Sequence, residues 1–296
     1  MTLQQPPVPP SGLVVVDKPA GLTSHDVVAR VRRLAGTRKV GHAGTLDPMA
    51  TGVLLVGVNR ATRLLGHLTL TEKAYDATVR LGAAMTTDDA EGEPLGTAAV
   101  DGIGEDGVRR AAQAFVGDIE QRPSSVSAIK VGGRRSYARV RAGEDVRLEA
   151  RPVTVHELRV GPVRAAGEYL DVDLAVRCSS GTYVRALARD LGEALGVGGH
   201  LTMLRRTAVG PFGLPEAHRL EDLADAFTLL DISEVARRCF PSYDLDEEES
   251  RAVGYGRSLP ASLGAGGPVA MFDPAGAFLA LYEQRGEDAA PVAVFV

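Results

Sequence analysis

Cysteine and long apolar runs are scarce in this sequence. The two cysteines, Cys178 and Cys239, lie far apart and outside any CxxC pattern, which argues against a disulfide framework and a cysteine zinc site. No apolar run approaches the roughly 18 residues that a membrane span needs. The first ten residues lack the charged and apolar regions of a signal peptide. These absences predict a cytoplasmic protein with no membrane attachment.

The composition is that of an ordinary globular protein. The chain has 296 residues, of which 45% are hydrophobic and 24% charged, and this excludes a wholly disordered or collagen-like chain. The length predicts one large domain or one and a half. We expect a disordered tail over residues 1–11, a main domain over 12–240, and a small β-rich module over 245–296, because the composition shifts after Pro241.

Positive charge is concentrated in two blocks although the net charge is −5. Residues 1–80 carry 10 basic against 5 acidic side chains, and residues 121–151 carry 8 against 3. Residues 81–120 and 211–296 are acidic, with 2 against 9 and 6 against 15. The two basic blocks predict one basic face that binds phosphates, because electrostatic attraction of a phosphate depends on the local field rather than on the net charge of the protein. An equally good interpretation is that charge simply fluctuates along the chain.

Hydrophobic periodicity predicts alternating strands and helices. Strands are expected at 13–16, 53–58, 74–81 and 169–178. Helices are expected after Thr23 or Ser24 up to Gly36, after Asn59 up to Leu68, over 107–116, and from Thr182 onward. The acidic stretch 83–105 has no hydrophobic periodicity, so we expect it to be an exposed excursion of the chain, outside the regular strands and helices.

The densest cluster of unusual residues is the loop 41–52, with three glycines and Asp47 before Pro48. Proline keeps the preceding residue out of the helical region, so a stiff turn presents the Asp47 carboxylate. Asp47 is therefore a candidate nucleophile in a basic setting. The alternative is plain turn chemistry, because Asp-Pro commonly initiates turns. His42 has no partner at metal-ligand spacing, so no metal site is predicted.

Two further segments are candidates for binding. Residues 178–185 form a strand-to-helix junction, where Tyr183 can stack on a ring and Arg185 can pair with a carboxylate. Tyr75 stands at a strand start. The alternatives are packing for both tyrosines and a surface ion pair for Arg185. No catalytic triad, glycosidase carboxylate pair or dinucleotide fingerprint stands out.

Four motifs occur in an order that resembles a known family. They are GLVVVDKPAG at 12–21, GHAGTLDPMATG at 41–52, Lys73-Ala74-Tyr75, and SGTYVR at 180–185. Together they closely resemble the bacterial TruB-type tRNA pseudouridine-55 synthases, over residues 12 to about 210. The resemblance implies an α+β pseudouridine-synthase fold: a central, mostly antiparallel mixed sheet flanked by helices, with a small C-terminal β-rich, PUA-like module.

The resemblance also implies residue roles. Asp47 would be the catalytic aspartate, Tyr75 would stack on the target base, and Arg185 would pair with Asp47. Tyr183 and Leu204 would line the pocket, and His42 would fill the space left by the extruded nucleotide. Lys18 and Pro19 would support the catalytic loop. The basic RNA-binding loop at about 121–151 would grip phosphates through Arg134, Arg135 and Arg139.

The implied reaction turns one uridine of the tRNA T loop, at position 55, into pseudouridine. It needs no cofactor and no metal, and the partner is the T-stem and loop of tRNA, bound by a monomer without an obligate protein partner. A carboxylate could attack ribose C1′, attack the base at C6, or assist a glycal-like route, and the sequence leaves all three open. Two other functions compete: a tRNA-binding folding factor with little catalysis, and a related synthase acting on ribosomal RNA.

Overall fold

The computed structural model of the protein describes residues 11–124, 130–131, 134–135 and 148–296, the two short pairs by their backbone alone. Residues 1–10 of the predicted tail, and most of the predicted basic loop, lie outside the described residues. No helix in the described part of the chain is both long and apolar enough to cross a membrane.

The described chain folds into strands joined by short helices. The strands are β1 (Gly12–Lys18), β2 (Val40–Ala43), β3 (Thr51–Val58), β4 (Lys73–Leu81), β5 (Ala83–Met85), β6 (Pro94–Thr97), β7 (Gly117–Gln121), β8 (Lys130–Val131), β9 (Arg134–Arg135), β10 (Arg151–Ala166), β11 (Tyr169–Cys178), β12 (Gly199–Val209), β13 (Phe212–Gly213), β14 (Leu230–Asp231), β15 (Ser242–Asp244), β16 (Val269–Phe272), β17 (Phe278–Arg285) and β18 (Asp288–Val294). The α-helices are α1 (Ser24–Leu34), α2 (Leu65–Thr69), α3 (Glu105–Gln113), α4 (Val184–Ala194), α5 (Leu220–Asp225), α6 (Ile232–Cys239) and α7 (Glu247–Gly254), and short 3₁₀ turns cover Asn59–Arg63 and Leu214–Glu216.

A ten-stranded sheet forms the main body. Its order is β14-β1-β3-β12-β4-β11-β10-β7, with β2 added to β3 and β13 added to β12. Its strand pairs are antiparallel except for β3 with β12, which run parallel where Arg205 and Arg206 face Thr51 and Gly52. The predicted mostly antiparallel mixed sheet is therefore confirmed.

The continuous apolar run of β1 is explained by burial of both faces of the sheet. Val14 and Val16 belong to a core that includes the apolar face of α1. Leu13 and Val15 point the other way, into a second core shared with α2 and α6. Successive side chains of a strand alternate between faces, so one strand contributes to both cores.

Local signals placed several elements correctly. Thr23 is the N-cap of α1, and its side chain and that of Asp26 form a capping box. The predicted strand 169–178 has the same bounds as β11. The prediction that Asn59 caps a helix was wrong: Asn59 lies inside the 3₁₀ turn with φ of 54°, and Val58 is its N-cap residue. Asparagine tolerates this left-handed conformation better than most residues.

The acidic stretch 83–105 is not simply an exposed excursion. It contains the β5–β6 hairpin. Asp88 and Asp89 within it are buried, and they pair with Arg189 and Arg185 of α4. Charge compensation by arginines distant in sequence allows this burial, which local periodicity does not reveal.

The C-terminal residues form a separate four-stranded sheet in the order β15-β16-β17-β18. Phe272 and Phe278 of this sheet, and Phe295 directly after β18, share a hydrophobic core with Leu55 of the main sheet and Leu65 of α2. This is the small C-terminal β-rich module expected from the sequence. It packs against the face of the main sheet that carries Leu13 and Val15, so apolar contacts join the two sheets.

Candidate active site

An open cavity of about 300 Å³ lies between the 44–47 loop and the first turn of α4. Five predicted site residues lie in its wall although they come from four distant segments: Asp47, Tyr75, Tyr183, Arg185 and Leu204. Strands β4 and β12 pair as neighbours and bring Tyr75 and Leu204 to the floor of this region.

The residues on both sides of Asp47 are hydrogen-bonded to other elements. The Leu46 amide donates to Ser24 Oγ at 2.9 Å, and Ser24 Oγ lies 3.1 Å from the Leu46 carbonyl. The Pro48 carbonyl accepts a hydrogen bond from Lys18 Nζ at 3.2 Å. Because its two neighbours are fixed, the Asp47 carboxylate is presented by a preorganised turn. Its side chain keeps 36% exposure and is accessible from the cavity.

Lys18 is fully buried beneath this turn. Its ammonium group donates to the carbonyls of Pro19 (3.0 Å), Leu22 (2.7 Å) and Pro48. Burial lowers the pKa of Lys18 to about 8, against the opposing attraction of the nearby Asp47. Lys18 thus joins the end of β1 to the backbone of the Asp47 turn.

Arg185 bridges two aspartates. Its Nη2 lies 3.0 Å from Asp47 Oδ2, and its Nη1 lies 3.3 Å from Asp89 Oδ2. Nη1 also donates to the Thr87 carbonyl at 3.0 Å. The Arg185 side chain is only 6% exposed, so these contacts act in a region of low dielectric. The planar guanidinium therefore holds the Asp47 carboxylate in one orientation.

Asp89 is a site residue that the sequence analysis missed. Its Oδ1 accepts hydrogen bonds from Thr87 Oγ1 at 2.5 Å and from the Glu91 amide at 3.1 Å, which fixes the carboxylate in a tight turn. Its side chain is 4% exposed. Local sequence gave no sign of this, because Asp89 lies in an acidic segment without hydrophobic periodicity, in which Glu91 and Glu93 are exposed.

Arg206 is a second residue that the sequence analysis missed. It is buried in the cavity wall, and its guanidinium donates to the carbonyls of Val53 (2.7 Å), Gly44 (3.1 Å) and Thr45 (3.4 Å). It therefore connects β12 with β3 and with the segment that precedes Asp47. The approach is so close that a Cβ on Gly52, where φ is +98°, would lie 2.2 Å from the Arg206 carbonyl oxygen.

Tyr75 presents a buried aromatic ring to the cavity. Burial raises its pKa above the ordinary tyrosine value, and the nearby Arg206 opposes this effect. The hydroxyl is therefore protonated at neutral pH. Leu204, 7% exposed, lies across the β4–β12 ladder opposite Ala77. The two side chains give the cavity an apolar surface beside the charged pair Asp47 and Arg185.

Other predicted site residues lie elsewhere. His42 belongs to β2, outside the cavity wall that the described residues form, and its ring packs edge-on against His25 with centroids 5.5 Å apart. The backbone of Arg134 and Arg135 forms β9, but their side chains lie outside the described residues, as does Arg139 entirely. Among the described residues there is no group of three or more His, Cys, Asp or Glu side chains able to hold a metal.

Solved structures share this architecture. A chain of a crystallised Cbf5-Nop10-Gar1 complex superposes with a TM-score of 0.73 and 27% identity, covering 96% of this chain and 85% of its own. A chain of an H/ACA RNP bound to a substrate RNA containing 2′-deoxyuridine gives the same values. The chain therefore shares the fold of these structures and places an arginine-paired aspartate in its pocket.

Family models cover nearly the whole chain. A model described as TruB family pseudouridylate synthase (N terminal domain) matches residues 32–184, and models of two C-terminal domains of tRNA pseudouridine synthases match 185–240 and 240–296. The chain is therefore a pseudouridine synthase, an isomerase of uridine in RNA. It belongs to the TruB family. The tRNA pseudouridine synthase B of Arthrobacter sp. (strain FB24) is 57% identical over 295 residues, 96% of each chain. That of Thermobifida fusca (strain YX) is 57% identical, covering 96% of this chain and 98% of its own.

Proposed function

We propose that this protein isomerises uridine 55 in the T loop of tRNA to pseudouridine, with Asp47 as the nucleophile. The observation that carries the proposal is the Asp47–Arg185 ion pair of 3.0 Å at the wall of a cavity that Tyr75, Tyr183 and Leu204 also line. A reactive carboxylate, a fixed counter-charge and a flat apolar surface are what a flipped pyrimidine nucleotide requires.

The chemistry explains why one aspartate is enough. The bond from ribose C1′ to uracil N1 breaks, the base turns, and C1′ joins C5. Uracil leaves as an anion stabilised by its own carbonyl groups, so the second, acidic carboxyl of a glycosidase is unnecessary. Asp47 takes part in each of the three routes, by attack at C1′, by attack at C6, or by assisting a glycal-like intermediate.

Asp47 is also the better base for the final step. The proton on C5 must leave once the new carbon–carbon bond has formed, and both Tyr75 and Asp47 line the cavity. Burial raises the pKa of Tyr75, which disfavours the phenolate form that would accept that proton. Tyr75 then serves as a stacking surface, worth about 1–3 kcal/mol per base.

Extrusion of the nucleotide costs a few kcal/mol, and contacts in the cavity offset that cost. We assign His42 to the space that the base leaves, because β2 runs directly into the Asp47 loop and His42 already packs on His25 beside it. Leu204 packs against the extruded base from β12.

We infer that the enzyme acts in the cytoplasm as a monomer, without an obligate protein partner, on the T-stem and loop of tRNA. We assign residues 12–240 to catalysis and 245–296 to RNA binding.

The direct test is to incubate the protein separately with unmodified tRNA and with unmodified ribosomal RNA, without added cofactor or metal, and to map pseudouridine by position. We expect product at position 55 alone. Refolding of tRNA without any product would favour the folding factor, and product on ribosomal RNA instead would favour the other synthase.

The predicted basic loop should contribute to the salt dependence of binding. Replacement of Arg134, Arg135 and Arg139 by glutamine should weaken tRNA binding and reduce the slope of log affinity against log salt by about two to three. The matched control replaces Arg109, Arg159 and Arg164, which pair with carboxylates on the protein. Equal slopes for the loop variant and the wild type would show that this loop does not contact phosphates.

A further inference from the structure

We propose that Gln121 is a positioning residue of this isomerase: its side-chain amide fixes the first turn of α4, and thereby holds Arg185 against Asp47. The proposal rests on the function proposed above and adds to it a residue outside the cavity wall.

The Gln121 amide is paired on both sides with the backbone of a single residue. Gln121 ends β7 and is 1% exposed. Its Oε1 accepts a hydrogen bond from the Tyr183 amide at 2.8 Å, and its Nε2 donates to the Tyr183 carbonyl at 3.1 Å. A buried amide whose donor and acceptor both have partners holds its neighbour in one register. The Gln121 side chain thus forms the same pair of hydrogen bonds with the Tyr183 backbone as a residue on an adjacent strand would.

Tyr183 occupies the position that decides where α4 begins. It is the N-cap residue, and its carbonyl also accepts the first helical hydrogen bond, from the Leu187 amide at 3.1 Å. N-cap positions favour Ser, Thr, Asp or Asn, whose short side chains can bond the first turn, and tyrosine has no such short acceptor. Gln121 reaches this helix terminus from another element and fixes its backbone instead.

Arg185 follows Tyr183 by two residues, so the position of the cap sets the position of the guanidinium. The contact between Arg185 and Asp47 is 3.0 Å. A second hydrogen bond from the residues that follow β7 fixes another partner of Arg185. Ser124 Oγ donates at 3.1 Å to the Thr87 carbonyl, and this carbonyl also accepts a hydrogen bond from Arg185 Nη1. A displacement of about 1 Å in a reactive group can cost about 100-fold in rate.

The substitution Gln121→Glu makes this pairing depend on pH. A protonated glutamic acid can donate to the Tyr183 carbonyl and accept from the Tyr183 amide, as glutamine does. An ionised carboxylate has no donor, so it loses the carbonyl bond and repels that oxygen. Burial raises the pKa of such a carboxyl group. The variant should therefore be active at low pH and lose activity as pH rises.

Charged groups on the surrounding elements set the range of that titration. Arg151 lies opposite Gln121 in the β7–β10 register. On α4 lie Arg185 and Arg189, and the turn packed against α4 carries their partners Asp89 and Asp88. The cations favour an ionised Glu, but the two on α4 are already compensated by aspartates.

The experiment compares Gln121→Glu with the wild type in single-turnover pseudouridine formation on a T-arm transcript between about pH 5 and about pH 8. We expect the variant-to-wild-type rate ratio to fall by about tenfold or more across this range, with RNA affinity unchanged. Because both rates are measured at the same pH, this ratio cancels the effect on the rate of groups that titrate in both proteins.

The matched control is Gln284→Glu. Gln284 likewise accepts from a backbone amide, Leu263 N at 2.8 Å, and donates to backbone carbonyls, but it lies in the C-terminal sheet. Its rate ratio should stay flat with pH. A flat ratio for Gln121→Glu, whether near that of the wild type or uniformly low, would overturn the proposal, because loss of the hydrogen bond to the Tyr183 carbonyl should follow ionisation of the introduced carboxyl group.

Hydrogen exchange of the peptide covering α4 separates this proposal from the function itself. Gln121→Glu should lose protection in the first turn as pH rises, relative to wild type at the same pH. If the wild type makes no pseudouridine but this loss occurs, the proposed function fails and the role of Gln121 in fixing α4 stands. If the wild type is active and protection in the variant matches it throughout, the role of Gln121 fails.

Discussion

Replacement of Asp47 by asparagine is expected to abolish pseudouridine formation, with a loss of about 10⁴-fold or more in the rate constant. The amide has almost the shape of the carboxylate and can still contact Arg185, so the turn held by Lys18 and Ser24 should persist. It cannot act as a nucleophile toward C1′ or C6, and it cannot accept the C5 proton. Single-turnover assays on a T-arm transcript measure the loss, and filter binding should give an affinity close to that of wild type.

The control for this experiment is Asp76→Asn. Asp76 is exposed on β4, next to Tyr75 in sequence but on the opposite face of the strand. Its replacement removes the same charge from the same region without touching the cavity, so the rate should be unchanged. Turnover by Asp47→Asn near the wild-type level would remove Asp47 from the nucleophile's role.

Replacement of Arg185 by methionine is expected to lower both stability and activity. Asp89, 4% exposed, would remain as a buried charge without its guanidinium, and removal of one partner of a buried ion pair costs about 3–5 kcal/mol. The Asp47 carboxylate would also lose its orienting contact, which we expect to lower the rate constant by about 10²–10³-fold. Urea unfolding and single-turnover kinetics measure the two effects separately.

The double variant Arg185→Met with Asp89→Asn distinguishes these effects. Neutralising Asp89 removes the buried charge, so much of the lost stability should return while the rate stays low. Recovery of the rate together with stability would mean that Arg185 acts only as a structural partner of Asp89. Arg185→Lys should fall between wild type and methionine, because an ammonium group lacks the planar fork that contacts Asp47 and Asp89 together.

Prediction from sequence worked where the determinants were local. The helix start at Thr23 and the alternation along 169–178 depend on neighbouring residues, and the structure has both where they were predicted. The prediction that Asn59 caps a helix failed for another local reason. Its positive φ belongs to a 3₁₀ turn, which the sequence signals for a helix start do not describe.

The burial of Asp88 and Asp89 was not predicted, and the reason is different. Acidic residues in an aperiodic, glycine-containing segment usually face solvent, and only partners far along the chain can make their burial favourable. Arg189 lies 101 positions from Asp88. No window of local sequence contains both members of that pair.

The sequence by itself determined the Asp47 turn: the proline after Asp47 restricts the backbone, and Gly44 and Gly52 permit the positive φ angles that the turn requires. Its order of motifs also identified the family. Only the tertiary structure decided what orients the carboxylate. Arg206 meets Gly44 across 162 positions, and Gln121 meets Tyr183 across 62. Such contacts follow from strand order and register in the sheet, because hydrogen bonds between buried groups form only where the completed fold brings donor and acceptor together.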